Sequence, residues 1–365
     1  MRGIRRATAL VVAAGLAMGC SADPSSPADG NAAAPSVTPS GTPDPPRAGS
    51  TVSPGSATPA PAATGSTRPA PTDAPVDPVS LPALFERRYV GGDLRVRRVV
   101  ARTDAYTSYS VSYRSNRLRV SGKLDVPRGR GPFPAVVLAH GYIDPDLYAN
   151  GQGMRREQDW LARAGYVVLH TDYRNHAFSS ADPGAERRFR LGYTVDTINA
   201  VNTLRSTRFA PVDDERVGLV GRSMGGGVVY NVLAVRPGLV DAAVVFAPVS
   251  SRAADNFERW IRPDPARGAL TRRILREHGG PRQNARFWRE VSPRHYLGRV
   301  TEPVLIHHGT ADETCPLRWS RATLRAMRAA GVDARLRTYA GEPHAFLAAW
   351  PLAMRRTETF LAAHL

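Results

Sequence analysis

The chain has 365 residues, of which 42% are hydrophobic, and it carries a formal net charge of +17. This length is enough to bury a sizeable core, and α/β folds of this size often form one domain, so we expect a single domain of catalytic size. A strongly basic chain often binds nucleic acid or an anionic surface. Here nearly every basic residue is arginine, with Lys123 the only lysine, and the arginines do not alternate with aromatic residues as in single-strand binders. We therefore expect no nucleic-acid binding.

Residues 1–20 are typical of a bacterial export signal. Arg2, Arg5 and Arg6 precede an apolar stretch, 7–18, that is too short to span a bilayer comfortably. The segment ends at Cys20, in a setting that resembles the lipobox of bacterial lipoproteins, in which the cysteine is lipidated and becomes the mature N-terminus. We expect an exported protein, either anchored by lipid to the outer face of the cytoplasmic membrane or, if this is an ordinary cleaved signal peptide, secreted.

Residues 21–80 are rich in Pro, Ala, Ser and Thr and contain almost no large apolar residue. Such a composition cannot offset the entropy of ordering, so we expect a disordered linker between the signal segment and the folded domain. The second of the two cysteines is Cys315. If Cys20 carries lipid, no disulfide can form within the chain, and the fold depends on its core alone.

Residues 81–365 have the pattern of an α/β domain. Two segments alternate apolar and polar residues around Ser115 and Asn116, which predicts antiparallel strands at the edge of a sheet. Continuous apolar runs then alternate with helical patterns, which is typical of a parallel sheet covered by helices on both faces. An Arg- and Pro-rich stretch at about 250–300 interrupts the alternation, and we expect it to form a small helical cap. The predicted helices lie near 154–164, 185–205, 224–235 and 318–330, and a last one starts at about 345.

Ser223 is the candidate nucleophile. It stands between Gly221 and Gly225 in a G-x-S-x-G pattern, with an apolar run before it and a helical pattern after it. The glycines permit the sharp strand-to-helix turn that exposes a serine hydroxyl in α/β hydrolases. The alternative, a glycine-rich turn with an idle serine, is disfavoured by this context.

A serine nucleophile needs a histidine base and a carboxylate, which follow in the order Ser, Asp or Glu, His in this architecture. Asp312 follows a predicted strand, and His344 follows the last one. Glu313 is the alternative acid, although its longer side chain would need a different backbone position. Cys315 is an alternative nucleophile that lacks a strand-turn-helix context. We expect no metal and no organic cofactor, because no cluster has metal-ligand spacing.

The tetrahedral intermediate of acyl transfer needs two N–H donors for its oxyanion. We predict the backbone N–H groups of Met224, at the start of a helix, and of Tyr142, in the loop after the segment PAVVLAHG. Aromatic residues of the predicted cap are candidates for the substrate pocket. We predict substrate contacts from Tyr142, Trp260 and Trp288, and the further candidates are Phe257, Ile261 and Phe287.

At these residues the chain resembles the α/β-hydrolase superfamily and, within it, the catalytic domain of the prolyl oligopeptidase family (S9) and its dienelactone-hydrolase-like relatives. The segments that carry the resemblance are SGKLDVPRGRGPFPAVVLAHG, LARAGYVVLHTDYR, GLVGRSMGG, SPRHYLGRVTEPVLIHHGTADETCP and GEPHAF. The resemblance implies Ser223 as nucleophile, Asp312 as acid and His344 as base.

The resemblance also bears on the substrate. Prolyl oligopeptidases carry a β-propeller where this chain has the expected linker, so we expect an esterase acting on a small-molecule ester through an acyl-enzyme. The alternative within the same chemistry is an S9-type serine peptidase acting on short peptides. The alternative of another class is a catalytically inactive binding protein of the cell envelope.

Overall fold

The computed structural model describes residues 75–365 of the chain. The predicted signal peptide, the predicted lipidation of Cys20 and most of the predicted linker therefore lie outside the described residues. Within residues 75–365, no helix is both long and apolar enough to cross a membrane.

Nine strands form a single sheet at the centre of the described region, in the order β1-β2-β3-β5-β4-β6-β7-β8-β9. Strands β5, β4, β6, β7, β8 and β9 pair in parallel, in that order across the sheet. Strands β1, β2, β3 and β5 pair antiparallel, each with the next. The strands are β1 (Arg95–Arg102), β2 (Tyr106–Ser115), β3 (Leu118–Pro127), β4 (Phe133–Ala139), β5 (Val167–Thr171), β6 (Val212–Arg222), β7 (Ala242–Phe246), β8 (Val304–Gly309) and β9 (Ala334–Tyr339).

The antiparallel strands lie at one edge, as the alternating pattern predicts. Strands β2 and β3 form a hairpin that closes with Ser115 opposite Leu118. Asn116 in the turn has φ +55°, a left-handed conformation that asparagine tolerates better than most residues. Strand β1 then extends this edge, and every one of its residues is exposed.

Helices cover both faces of the sheet, and the continuous apolar strands β5, β7 and β8 are buried along their whole length. Helices α1, α3, α4 and α8 pack on one face, and α2 and α9 pack on the other. Their bounds are α1 (Pro82–Phe85), α2 (Arg155–Arg163), α3 (Leu191–Ser206), α4 (Met224–Val235), α8 (Leu317–Ala329) and α9 (Trp350–His364). This is the predicted α/β architecture.

A group of short helices separates β7 from β8, and we call it the cap. It consists of α5 (Ala253–Asn256), a π-helical turn (Phe257–Ile261), two 3-10 turns (Pro265–Arg267 and Pro293–Arg299), α6 (Gly268–His278) and α7 (Ala285–Glu290). The cap has a small core of its own, formed by Phe257, Ile274, Phe287, Trp288 and Val291.

The sheet also decides where reactive groups can meet. The loops that follow β4, β6, β8 and β9 all leave the carboxyl ends of parallel strands, and so emerge along one edge of the sheet. These loops carry Tyr142, Ser223, Asp312 and His344 respectively.

Candidate active site

Ser223 occupies a strained turn between β6 and α4. Its backbone has φ +55° and ψ −119°, a conformation that costs energy in a residue with a side chain and that marks functional turns. A Cβ atom on Gly221 would lie 2.5 Å from the carbonyl oxygen of Gly225, and one on Gly225 would overlap the carbonyl oxygen of Ala139. Both glycines of the G-x-S-x-G pattern are therefore required by the backbone around the serine.

Asp312 is fixed by the loop that follows β8. Its Oδ1 atom accepts hydrogen bonds from the backbone N–H groups of Thr314, at 2.9 Å, and Cys315, at 2.7 Å. The Nε2 atom of buried His308 lies 3.2 Å from Oδ2. Burial alone would raise the pKa of Asp312, but the hydrogen bonds from His308, His344 and the Cys315 N–H outweigh it and hold the pKa well below its usual value. Asp312 is therefore a carboxylate at neutral pH.

The imidazole of His344 lies against this carboxylate. Its Nδ1 atom is 2.9 Å from Oδ2 and 3.1 Å from Oδ1 of Asp312. Glu313, the alternative acid, instead accepts from the backbone N–H of His344 at 3.4 Å and from the hydroxyl of Thr314. Because a carboxylate holds the proton on Nδ1, Nε2 is left free to accept a proton from a hydroxyl. The structure thus pairs the histidine ring with Asp312 and not with Glu313.

Ser223 and His344 line the same two cavities, but in the described residues no hydrogen bond joins their side chains. This contact is often long in an enzyme without substrate and tightens when substrate binds. The Ser223 hydroxyl has the thiol of Cys315 as a neighbour, but the described residues record no hydrogen bond between the two groups. Burial, together with the Asp312 charge, raises the pKa of that thiol to about 12. The thiol is protonated at neutral pH, which argues against the alternative cysteine nucleophile.

The loop after β4 approaches the serine closely. A Cβ atom on Gly141 would lie 3.2 Å from Cβ of Ser223, so the next residue, Tyr142, begins beside the hydroxyl. Met224 is the first residue of α4, where backbone N–H groups have no partner within the helix. Within residues 75–365, the N–H groups of Tyr142 and Met224 donate to no protein acceptor. Both predicted oxyanion donors are therefore free to bind a ligand.

His140 orients one of these donors. Burial lowers the pKa of His140 to about 3, so its ring is neutral and has a single N–H. Its Nδ1 atom lies 2.6 Å from the Gly141 carbonyl oxygen, whereas Nε2 lies 3.3 Å from that of Asp172. The shorter contact favours the proton on Nδ1. In a trans peptide the C=O and N–H point in opposite directions, so this hydrogen bond fixes where the Tyr142 N–H points.

A cavity of about 510 Å³ lies between the cap and the sheet edge, with Ser223 and His344 in its wall. Tyr142 and Trp260, both predicted to contact substrate, line it. So do Phe257 and Ile261. Its remaining lining residues are Glu186, Phe189, Arg190, Met224, Val249, Ala253, Asn256, Asp264, Arg267, Leu270, Ile274 and Thr314. We call it the apolar cavity, because ten of its eighteen lining residues are hydrophobic.

Trp288, the third residue predicted to contact substrate, does not line this cavity. The side chain is 4% exposed and packs within the cap, with its ring 4.9 Å from that of Phe257. Its indole N–H donates to the carbonyl of Gly279 at 3.1 Å. Helix α7 thus turns Trp288, like its neighbour Phe287, into the core of the cap.

A second cavity, of about 430 Å³, opens on the other side of the same groups. It shares Tyr142, Ser223 and His344 with the apolar cavity. We call it the basic cavity, because three arginines line it. Its other lining residues are Gly141, Ile143, Gln152, Gly153, Arg155, Arg156, Glu157, Arg222 and Ala345.

Sequence reasoning missed a buried ion pair between Arg222 and Glu157. Arg222 is the variable residue immediately before Ser223, and its guanidinium binds the carboxylate of Glu157 on α2. It also donates to the backbone carbonyls of His344, at 3.4 Å, and Ala345, at 3.1 Å. One arginine therefore ties the serine turn to the histidine loop. An arginine that directly follows the apolar run VGLVG was the signal that could have identified it.

Among residues 75–365, no three His, Cys, Asp or Glu side chains are grouped so that they could hold a metal ion. The chemistry available at this edge of the sheet is that of a hydroxyl, an imidazole, a carboxylate and two free N–H groups.

Residues 152–365 match the family model described as the prolyl oligopeptidase family. Among curated proteins, the chain is 24% identical over 217 residues to the uncharacterized peptidase YuxL of Bacillus subtilis, covering 59% of this chain and 31% of that protein. It is also 24% identical over 211 residues to esterase EstD of Thermotoga maritima, covering 52% of this chain and 49% of that protein. The chain thus spans less than half the length of either relative.

Among solved structures, acetyl xylan esterase 1 from Thermoanaerobacterium sp. is similar with a TM-score of 0.57 at 20% identity, over 74% of this chain and 88% of that one. This similarity concerns the fold. Since the family model covers more than half of the chain, and since the sheet is that of an α/β hydrolase, the chain belongs to the prolyl oligopeptidase (S9) family of serine hydrolases.

Proposed function

We propose that the protein is an esterase that hydrolyses small carboxylic esters through Ser223, His344 and Asp312. The observation that carries the proposal is the contact of 2.9 Å between His344 Nδ1 and Asp312 Oδ2 beside a serine held in a strained turn. A buried carboxylate that fixes one imidazole nitrogen prepares the other nitrogen to activate a hydroxyl.

In the proposed reaction, Ser223 Oγ attacks the ester carbonyl carbon while His344 Nε2 accepts the hydroxyl proton. The oxyanion that forms is stabilised by the N–H groups of Tyr142 and Met224. His344 then gives its proton to the departing alcohol, which leaves an acyl group on Ser223. Water, activated by the same imidazole, releases the acid and restores the enzyme.

The charges that line the apolar cavity favour an ester over a peptide with a free amino terminus. Such a peptide needs a free carboxylate to bind its ammonium group. The carboxylates here are already paired: Glu186 is bound by Arg190 and Arg267, and Asp264 is bound by Arg267. The ten hydrophobic residues of the wall suit an acyl chain. Similarity to an esterase relative supports this choice, and similarity to a peptidase relative keeps peptide hydrolysis as the second candidate.

The test is the Ser223→Ala variant against 4-nitrophenyl butyrate and a fluorophosphonate probe. We expect turnover to fall by about three orders of magnitude or more and labelling to disappear. Ser206→Ala, at an exposed serine that lines neither cavity, is the matched control and should behave as the unaltered protein does. Labelling that persists in Ser223→Ala would exclude this serine. Butyryl-4-nitroanilide and a dipeptidyl nitroanilide, assayed in parallel, separate esterase from peptidase.

We further propose that this enzyme acts outside the cytoplasmic membrane, held there by lipid on Cys20. Support comes from the basic and apolar pattern of residues 1–20 alone.

A further inference from the structure

The candidate nucleophile stands where two cavities of different character meet. The apolar and basic cavities share Tyr142, Ser223 and His344, so an ester bound at Ser223 extends into both. The acyl part and the departing alcohol lie on opposite sides of the attacked carbonyl. Since the apolar cavity suits the acyl chain, the alcohol enters the basic cavity.

The basic cavity has an excess of positive charge. Of its four charged side chains, Glu157 is neutralised by Arg222. Arg156 donates to backbone carbonyls, including that of Ala345 at 2.7 Å, and these carry no net charge. Arg155 is exposed and, within residues 75–365, forms no ion pair. The guanidinium groups of Arg155 and Arg156 are thus not neutralised by any carboxylate in the cavity wall.

The apolar cavity differs in this respect. Its two arginines, Arg190 and Arg267, are matched by two carboxylates, Glu186 and Asp264, with which they form ion pairs. The contrast gives the site an electrostatic polarity, neutral on the cap side and positive on the other. A substrate with an anionic group would be oriented by it.

We propose that the basic cavity selects esters whose alcohol part carries a carboxylate, and that Arg155 is the residue that recognises this group. Arginine presents a planar set of donors that matches a carboxylate. This inference rests on the proposed esterase function and adds the class of alcohol that the enzyme prefers.

The experiment compares butyryl esters of 4-hydroxybenzoate and 4-hydroxybenzamide, which have nearly the same shape but differ in charge. The readout is the ratio of kcat/KM for the anionic ester to that for the neutral ester. Since each ester's own reactivity cancels when variants are compared, only the change in this ratio matters. We expect Arg155→Gln to lower the ratio by about threefold to fivefold, as for an ion pair partly screened by water. Arg155→Lys should retain part of the preference for the anionic ester.

Arg321→Gln is the matched control, because Arg321 is exposed on α8 and lines neither cavity. It should leave the ratio unchanged. An equal ratio in the unaltered protein and Arg155→Gln would overturn the inference while leaving the esterase intact. Failure of the unaltered protein to hydrolyse either ester would instead refute the proposed function.

The orientation of the substrate is tested by placing the charge on the acyl part. The pair is 4-nitrophenyl hydrogen succinate and 4-nitrophenyl butyrate. We expect Arg155→Gln to leave the ratio of their kcat/KM values unchanged within about twofold, because the succinate carboxylate would lie in the apolar cavity, which Arg155 does not line, and solvent screens an interaction between separated charges. A loss confined to the succinate ester would show that the basic cavity holds the acyl part, and would overturn the assignment.

Discussion

Replacing Glu157 by glutamine tests whether the buried ion pair holds the site together. The side chain of Glu157 is 2% exposed and that of Arg222 is 10% exposed, so the change leaves a guanidinium almost out of water without its counter-charge. Breaking a buried pair by removing one partner costs about 3–5 kcal/mol. Arg222 keeps its hydrogen bonds to the carbonyls of His344 and Ala345, so we expect the lower end of that range.

The described domain, residues 75–365, has an unfolding entropy of about 0.6 kcal/mol/K, so about 3 kcal/mol corresponds to a Tm lower by roughly 5 °C. Activity should fall as well, because Arg222 positions the loop that carries His344. A displacement of about 1 Å at a catalytic group can cost about a hundredfold in rate. The assays are thermal unfolding and kcat/KM for 4-nitrophenyl butyrate. The control is Glu215→Gln at an exposed carboxylate, which should change neither quantity.

A double variant separates stability from function. Glu157→Leu combined with Arg222→Met removes both charges, and replacing a buried pair by apolar side chains is often neutral for stability. We expect Tm to recover towards that of the unaltered protein while turnover stays low, since the histidine loop has lost its donor. A Glu157→Gln protein that unfolds within about 1 °C of the unaltered one would refute the reasoning, as would a double variant with full activity.

Asp312→Asn should lower kcat for 4-nitrophenyl butyrate by about three to four orders of magnitude. The pKa of Asp312 is lowered in the folded protein, so its carboxylate stabilises the fold at every pH above the pKa of an unfolded aspartate. That stabilisation is lost only as pH falls through the lowered pKa. Measurements of Tm between pH 8 and pH 5 should therefore show no titration of Asp312. Because the pKa of the Cys315 thiol is raised to about 12, Cys315 should react with iodoacetamide at pH 8 only after unfolding. Rapid labelling of the folded protein would contradict this protection of the thiol. The Cys315→Ala variant should keep most of the activity. Trp260→Ala enlarges the apolar cavity and should shift the ratio of octanoate to butyrate turnover by about tenfold; an unchanged ratio would place the acyl chain elsewhere. Cys20→Ser should abolish incorporation of a labelled fatty acid, and persistent incorporation would argue against lipidation at this residue.

The main features of the sheet and the position of the candidate triad were predictable because each depends on a local pattern. Strand β6, the glycines around Ser223 and helix α4 are consecutive, and chain order then points to Asp312 and His344. The choice of Asp312 over Glu313 also followed from side-chain length, and the contact with the His344 ring agrees with it.

The remaining features depend on long-range packing that no local pattern records. Trp288 belongs to a helix of six residues, which is too short for periodicity to show which face is buried. The partner of Arg222 is Glu157, 65 residues away along the chain, and only the assembled sheet brings them together. Helix α3 begins at Leu191, six residues after the predicted start at 185.

The exposed edge strand β1 has a consequence for how copies of the protein meet. An uncovered strand is a template on which another chain can add by main-chain hydrogen bonds. Here Val96, Val99 and Val100 would make that addition favourable, but Arg95, Arg97, Arg98 and Arg102 stand among them. Two such edges aligned side by side would bring guanidinium groups together, and their repulsion would keep the molecules apart. Colloidal stability should therefore decline as salt screens these charges, even where each molecule stays folded.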